Sequence, residues 1–205
     1  MIPIILAIIS LWTMPVNAAS LPINMVPCGE VPPEILDFLK GGLEKEIAAE
    51  VTQIGQVPMP PCAYNPSRRQ YRAEAFLPLL LPFRPGSNGL VLGVITVDLY
   101  VPDLNFVFGL ADSRQKCAII SLARLEPEFC GQPSNPQLFR ERALKEAVHE
   151  LGHLLGLGHC SNPACVMFFS NSLADTDRKG SGFCPECRRG LERNGILHPI
   201  PQSAQ

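Results

Sequence analysis

Three of the chain's four histidines, His149, His153 and His159, fall within one short stretch. No other feature restricts the fold as much, because their spacing dictates geometry. His149 and His153 are four residues apart, so an α-helix places both imidazoles on one face, one turn apart, where two nitrogens can meet one metal ion. His159 cannot reach that face from a straight helix, so the chain must turn sharply after His153. Gly156 supplies the freedom, since glycine accepts a positive φ without a Cβ clash. A fold containing this stretch therefore needs a helix ending near 155, a left-handed turn and a loop that swings back. Three neutral imidazoles leave one tetrahedral position open, the donor set of a catalytic rather than a structural zinc. Glu150, beside the first ligand, stands where a carboxylate can take a proton from water at that metal.

The cysteines extend the pattern. Eight are present, and four of them begin directly after the third histidine: Cys160, Cys165 and the CxxC of Cys184 and Cys187. Two close pairs separated by a loop form a tetrahedral zinc framework, saturated by thiolates and therefore structural; two disulfides are the alternative. Because Cys160 adjoins His159, this second zinc would also fix the loop that carries the third histidine. Cys28, Cys62, Cys117 and Cys130 have no metal-like spacing. Cys28 follows the first expected strand and Cys62 lies in the loop after the second. Neighbouring parallel strands would bring those ends together, which predicts a Cys28–Cys62 bridge. Cys117 and Cys130 flank one strand and are too far apart to pair unless the chain doubles back.

Charge excludes some functions. With 17 basic and 19 acidic side chains and a formal net charge of −2, the chain has no basic footprint for nucleic acid and no polybasic membrane patch. Its 205 residues suit one domain with its own core. The apolar run at 2–12 is shorter than the ~20 residues of a membrane span. Val16-Asn17-Ala18 then offers small residues at a cleavage site, although no Lys or Arg precedes Lys40. Residues 1–18 therefore read as a secretory signal, which predicts an exported protein, periplasmic or secreted, without a stable membrane anchor; a cytoplasmic location is the alternative. The folded domain is expected over 19–198, with a loose tail at 199–205 and His198 as a surface residue, and the protein is expected to be a monomer.

Periodicity predicts strands at 23–26, 51–57, 90–101, 105–110 and 118–125. Helices are predicted behind Pro32 and Pro33, where Ile35, Leu36, Leu39, Leu43 and Ile47 make one apolar stripe, and over 73–81, 137–155 and 184–193. Gly109 inside a strand marks a bulge or a close approach to the backbone. Strands alternating with helices give an α/β (α+β) class.

The run HExxHxxGxxHC, then Cys-x-Met, a spacer and CxxC, resembles the archaemetzincin family of zinc metallopeptidases in the metzincin clan. His149, Glu150, His153, Gly156, His159, Cys160, Cys165, Met167, Cys184 and Cys187 carry the resemblance. It implies a twisted five-stranded mixed sheet, an active-site helix, a zinc-stabilised C-terminal part, and Met167 in a turn beneath the catalytic zinc. It further implies two Zn2+ per chain, a peptide or protein substrate, and hydrolysis of peptide bonds. By the same analogy 105–110 is an antiparallel edge strand above the cleft, so Asn105, Phe106, Val107, Phe108 and Gly109 would hold an extended peptide. Two other readings compete: a non-catalytic zinc- and peptide-binding module, which would be marked by loss of the glutamate, and a hydrolase of a non-peptide amide.

Overall fold

The computed structural model describes residues 20–193 and 196. The expected signal at 1–18, His198 and the tail at 199–205 lie outside them. The chain opens with β1 (Leu21–Cys28) and α1 (Pro33–Ile47), whose five stripe residues are all buried. It turns at Ala48, with φ 55°, into β2 (Ala49–Gln53). That strand stops before the expected end at 57, and Val57 keeps one bridge to Cys28. Two short strands, β3 (Tyr64–Asn65) and β4 (Gln70–Arg72), precede α2 (Leu77–Leu80). The helix expected over 73–81 is broken into 3-10 turns on either side of α2, because Pro78 and Pro82 remove backbone donors.

The strand expected over 90–101 divides into β5 (Leu90–Ile95) and β6 (Leu99–Tyr100). The chain bends between them at Thr96 and Val97, and the carboxylate of Asp98 that follows is held by Gln70 and Arg124. Next come β7 (Gly109–Asp112) and β8 (Cys117–Ser121), the latter giving way to a 3-10 turn before the expected end at 125. Three helices finish the described chain: α3 (Pro136–Leu154), α4 (Leu173–Arg178) and α5 (Pro185–Arg193).

The main sheet runs β2-β1-β5-β8-β7, parallel except for β7, which pairs antiparallel with β8 at the edge. This is the five-stranded mixed sheet that the resemblance implies. The central strand β5 is buried on both faces, which explains its unbroken apolar run. Leu90, Leu92 and Val94 face α1 and α3, while Val91 and Ile95 face Phe76 and Leu80. Ala143, Ala147, Val148, Leu151 and Leu154 bury the inner side of α3 on the first face. Asn135 caps this helix by accepting the Leu138 N–H, and the Lys116 ammonium donates to the Leu154 carbonyl at its end, 2.8 Å away.

Two expectations need correction. The edge strand begins at Gly109, not at 105. Phe108 still accepts the Ser121 N–H of β8 at 2.8 Å, but the backbone before it is held elsewhere. Arg68 donates to the carbonyls of Leu104 and Asn105 at 2.7 and 2.9 Å, and Gln70 donates to Asn105 at 2.9 Å. Only Val107 keeps a bridge, to Leu99. The Cys28–Cys62 bridge is also absent: all eight cysteines are free. Cys28 turns into the second core, whereas Cys62 is exposed on the 3-10 turn at 61–63. Burial pushes the Cys28 and Cys117 thiols up to about 12, so neither is a ready nucleophile.

Candidate active site and metal centres

The last two turns of α3 present His149 and His153 together, with their ring centroids 4.6 Å apart. After the helix the chain reverses at Gly156, φ 91°, as the spacing required. His159 then lies over both rings, 5.5 Å from His149 and 4.9 Å from His153. The tautomers follow from the second ring nitrogens. His149 Nδ1 lies 2.8 Å from the Val166 carbonyl, and His153 Nδ1 lies 2.9 Å from the Leu157 carbonyl. A carbonyl only accepts, so each Nδ1 carries the proton and each Nε2 carries a lone pair. Those two Nε2 atoms face each other at 3.1 Å. Two lone pairs that close repel unless a cation lies between them. A tetrahedral ion with nitrogen ligands at about 2.0–2.1 Å sets the nitrogens about 3.3 Å apart. Burial holds His149 down at about 3 and also lowers His153 and His159, which keeps the imidazoles neutral as metal ligands must be. The donor set fits zinc.

Glu150 is buried against the start of the edge strand. A Cβ at Gly109 would stand 2.6 Å from its Cγ and Oε1, so only glycine lets the strand pass. The close approach signalled by this glycine is therefore made by the glutamate. Burial, then the neighbouring Glu146, push the Glu150 carboxyl up to about 8, while Lys179 opposes them. A dication beside it acts in the same sense as Lys179.

The four late cysteines converge between the post-helix loop and α5. Cys160 and Cys184 sulfurs are 3.8 Å apart, and so are those of Cys165 and Cys187. A tetrahedron with Zn–S bonds of about 2.3 Å has edges of about 3.8 Å, whereas a disulfide needs about 2.05 Å. Although burial works against it, hydrogen bonds led by the Cys187 N–H hold Cys184 at about 7, within reach of thiolate at neutral pH. All four ligand atoms lie within 4.8 Å of one another, as do those of the three histidines. Cys160 N–H donates to the Met167 carbonyl, and Val166 N–H to that of Gly182. The sulfur cluster thus braces Val166, whose own carbonyl orients His149.

The Peptidase family M54 model matches residues 34–193. The chain is 48% identical over 178 residues to the archaemetzincin of Pyrococcus abyssi, covering 84% of this chain and 95% of that one. Against the archaemetzincin of Methanocaldococcus jannaschii it is 46% identical, covering 85% and 94%. The crystal structure of the Archaeoglobus fulgidus archaemetzincin, complexed with malonate, superposes with TM-score 0.72 at 40% identity, over 82% of this chain and 99% of that one. The Methanocorpusculum labreanum zinc-dependent peptidase gives 0.76 at 33% identity, over 82% and 99%.

This chain is an archaemetzincin.

It is accordingly a zinc peptidase with one catalytic and one structural metal site. The archaemetzincin cleft has two lobes. One, of about 600 Å³, runs along β7 past His149, His153 and His159; the other, of about 260 Å³, sits beyond Glu150 and is floored by Glu146. Leu104 and Phe169 are exposed and line both lobes, and the Phe169 ring lies 4.7 Å from that of His159. Met167 is fully buried beneath the site. A Cβ at Gly152 would come within 2.3 Å of its sulfur, so this glycine lets the helix rest on the methionine. Asn105, Phe106, Val107 and Gly109 line the smaller lobe, whereas Phe108 turns away and is buried.

Sequence reasoning missed Gly152, the buried pair Glu146–Lys179, and the Gln70–Asp98–Arg124 network that holds the cleft's roof. Gly152 sits inside the HExxH run and was legible as a close contact. The other two join residues more than 25 positions apart and leave no local signal.

Proposed function

We propose that the chain hydrolyses peptide bonds with Glu150 as general base and His149, His153 and His159 as ligands of the catalytic zinc. When bound, zinc supplies Lewis acidity, polarising a carbonyl and lowering the pKa of water towards ~7. Glu150 takes the proton of the attacking water and delivers it to the leaving amine. Its burial against Gly109 restricts the carboxylate to one position beside the imidazoles. The substrate lies extended along the free edge of β7, whose unpaired backbone groups accept it as a further strand. The observation that carries this reading is the Glu150 carboxylate held between the histidine triad and that edge. Glu150→Gln is the test: kcat should fall by about 10²–10⁴-fold while zinc content stays. An unchanged kcat would remove Glu150 from the mechanism.

Cys160, Cys165, Cys184 and Cys187 are proposed to hold the structural zinc, and the enzyme to act as a monomer that engages peptides and not nucleic acid. Export is proposed from the N-terminal sequence. β1 begins at Leu21, so cleavage after Ala18 leaves the sheet whole. Among the described residues no helix is long and apolar enough to cross a membrane. A mature mass beginning at Ala19 supports export, whereas an intact Met1 contradicts it.

A further inference from the structure

The smaller lobe of the cleft has mixed walls, apolar where Leu104, Phe106, Val107 and Phe169 line it and polar at Asn105, Ser170 and Asn171, with Glu146 as an acidic floor beside Glu150. Its floor residue Glu146 precedes His149 by one helical turn and is 3% exposed. One carboxylate oxygen, Oε1, is fully engaged: Thr176 Oγ1 donates to it at 3.1 Å, and Lys179 Nζ forms an ion pair with it at 3.0 Å. The other oxygen, Oε2, has no hydrogen-bond partner among the described residues. Lys179 is completely buried and does not line the lobe.

An ion pair is a dipole, and its orientation decides which end a neighbouring group feels. Here the carboxylate faces the lobe and the ammonium stands behind it. A cation entering the lobe meets Glu146 before Lys179 and is attracted; an anion is repelled. The frame is also stiff. Arg142 holds Asp177 through two hydrogen bonds of 2.7 Å, and Lys145 donates to the carbonyls of Thr176 and Asp177. The lobe therefore presents a fixed acceptor at the end of a channel with one apolar side. That shape matches a side chain with an apolar stem and a donor-bearing cationic head.

We propose that Glu146 is the specificity-determining residue of this archaemetzincin, and that the lobe beyond Glu150 takes a lysine or arginine side chain next to the scissile bond. The inference rests on the peptidase reading above, and two readouts separate them. The first is a library of peptides varied on each side of the cleaved bond, presented to the zinc-loaded full chain. At one of these positions Lys or Arg should raise kcat/KM at least tenfold over norleucine and over Glu. In Glu146→Gln, which keeps the shape and removes the charge, that ratio should fall at least tenfold. Should that variant misfold, the double change Glu146→Met with Lys179→Met removes both charges together, a replacement that buried ion pairs tolerate, and the preference should pass to norleucine. The second readout needs no turnover. The dissociation constants of two peptide hydroxamates, one with a lysine and one with a norleucine side chain, should differ at least tenfold in favour of lysine. Hydroxamate preference without peptide cleavage would leave the lobe's assignment standing and overturn the peptidase reading. Equal or reversed preference in both readouts, or a lysine preference that survives Glu146→Gln, would overturn the assignment.

Discussion

The histidine site and the cysteine site are made from one stretch of chain, 149–187, yet they have opposite surroundings. The imidazoles come mostly from a helix and open onto cleft lobes on both sides, with one buried carboxylate close by. The thiolates come from loops and a helix start, with Cys165 buried and the other three half-buried. Cys160 and Cys165 accept backbone N–H groups of Asn162 and Cys184, and all four cysteines belong to the main core together with Phe183 and Leu191. Three donors leave room for chemistry, and four donors leave none. What distinguishes the two sites is therefore less the metal than what the protein leaves beside it. An open position with a poised base gives reactivity, while saturation gives only a crosslink.

This contrast can be broken at four places. The largest effect belongs to Cys184→Ser. Structural zinc contributes on the order of 10 kcal/mol of folding free energy, so several kcal/mol should be lost and the melting temperature should drop by roughly 10 °C or more. Molecules that stay folded should keep most of their kcat. An unchanged melting temperature would show that the cluster is no crosslink. Glu150→Gln comes next, with kcat falling by about 10²–10⁴-fold while elemental analysis still finds both zincs. Smaller again is Gly109→Ala. Its Cβ would collide with Glu150, so kcat should fall by roughly tenfold, an effect that disappears when Glu150 is already Gln. Additive losses in the double variant would mean that the strand acts on something other than the base. The smallest is Gly156→Ala. Nothing lies within 4 Å of the added methyl, so the cost comes from the positive φ alone, about 1 kcal/mol. Calorimetry should find that loss together with weaker zinc binding through His159. Unchanged zinc affinity would mean that the loop tolerates another path.

Much of this organisation could be read before any coordinates, for physical reasons. The i, i+4 histidines, the stripe on α1 and the glycine that ends α3 are local patterns, set by helix geometry over a few residues. The paired cysteines are nearly local, since ligand spacing alone brings them to one ion. The misplaced edge strand shows the limit. Asn105, Phe106 and Val107 look like strand, but Arg68 and Gln70, more than 30 residues earlier, take the carbonyls of Leu104 and Asn105 and hold the start of that stretch off the sheet. The Cys28–Cys62 pairing failed similarly: Cys28 is buried in the core, whereas the chain runs on past β2 to leave Cys62 exposed on the 3-10 turn at 61–63. The Glu146–Lys179 pair was invisible because lysine and glutamate usually lie in solvent, and only the assembled fold buries both.

Between Gly156 and Cys184 the sole regular element is the six-residue α4. Such a segment has little ladder of its own, so bound metal carries much of its order. Mass action then ties the persistence of the fold to ambient zinc. Each tenfold fall in free zinc removes about 1.4 kcal/mol for every site it had saturated, hence about 2.8 kcal/mol for two. The same ions that make the protein an enzyme thereby set its lifetime. When zinc becomes scarce, the C-terminal part should open before the sheet does, exposing the 156–193 segment to other proteases. Limited proteolysis across a series of buffered zinc concentrations would trace that dependence directly.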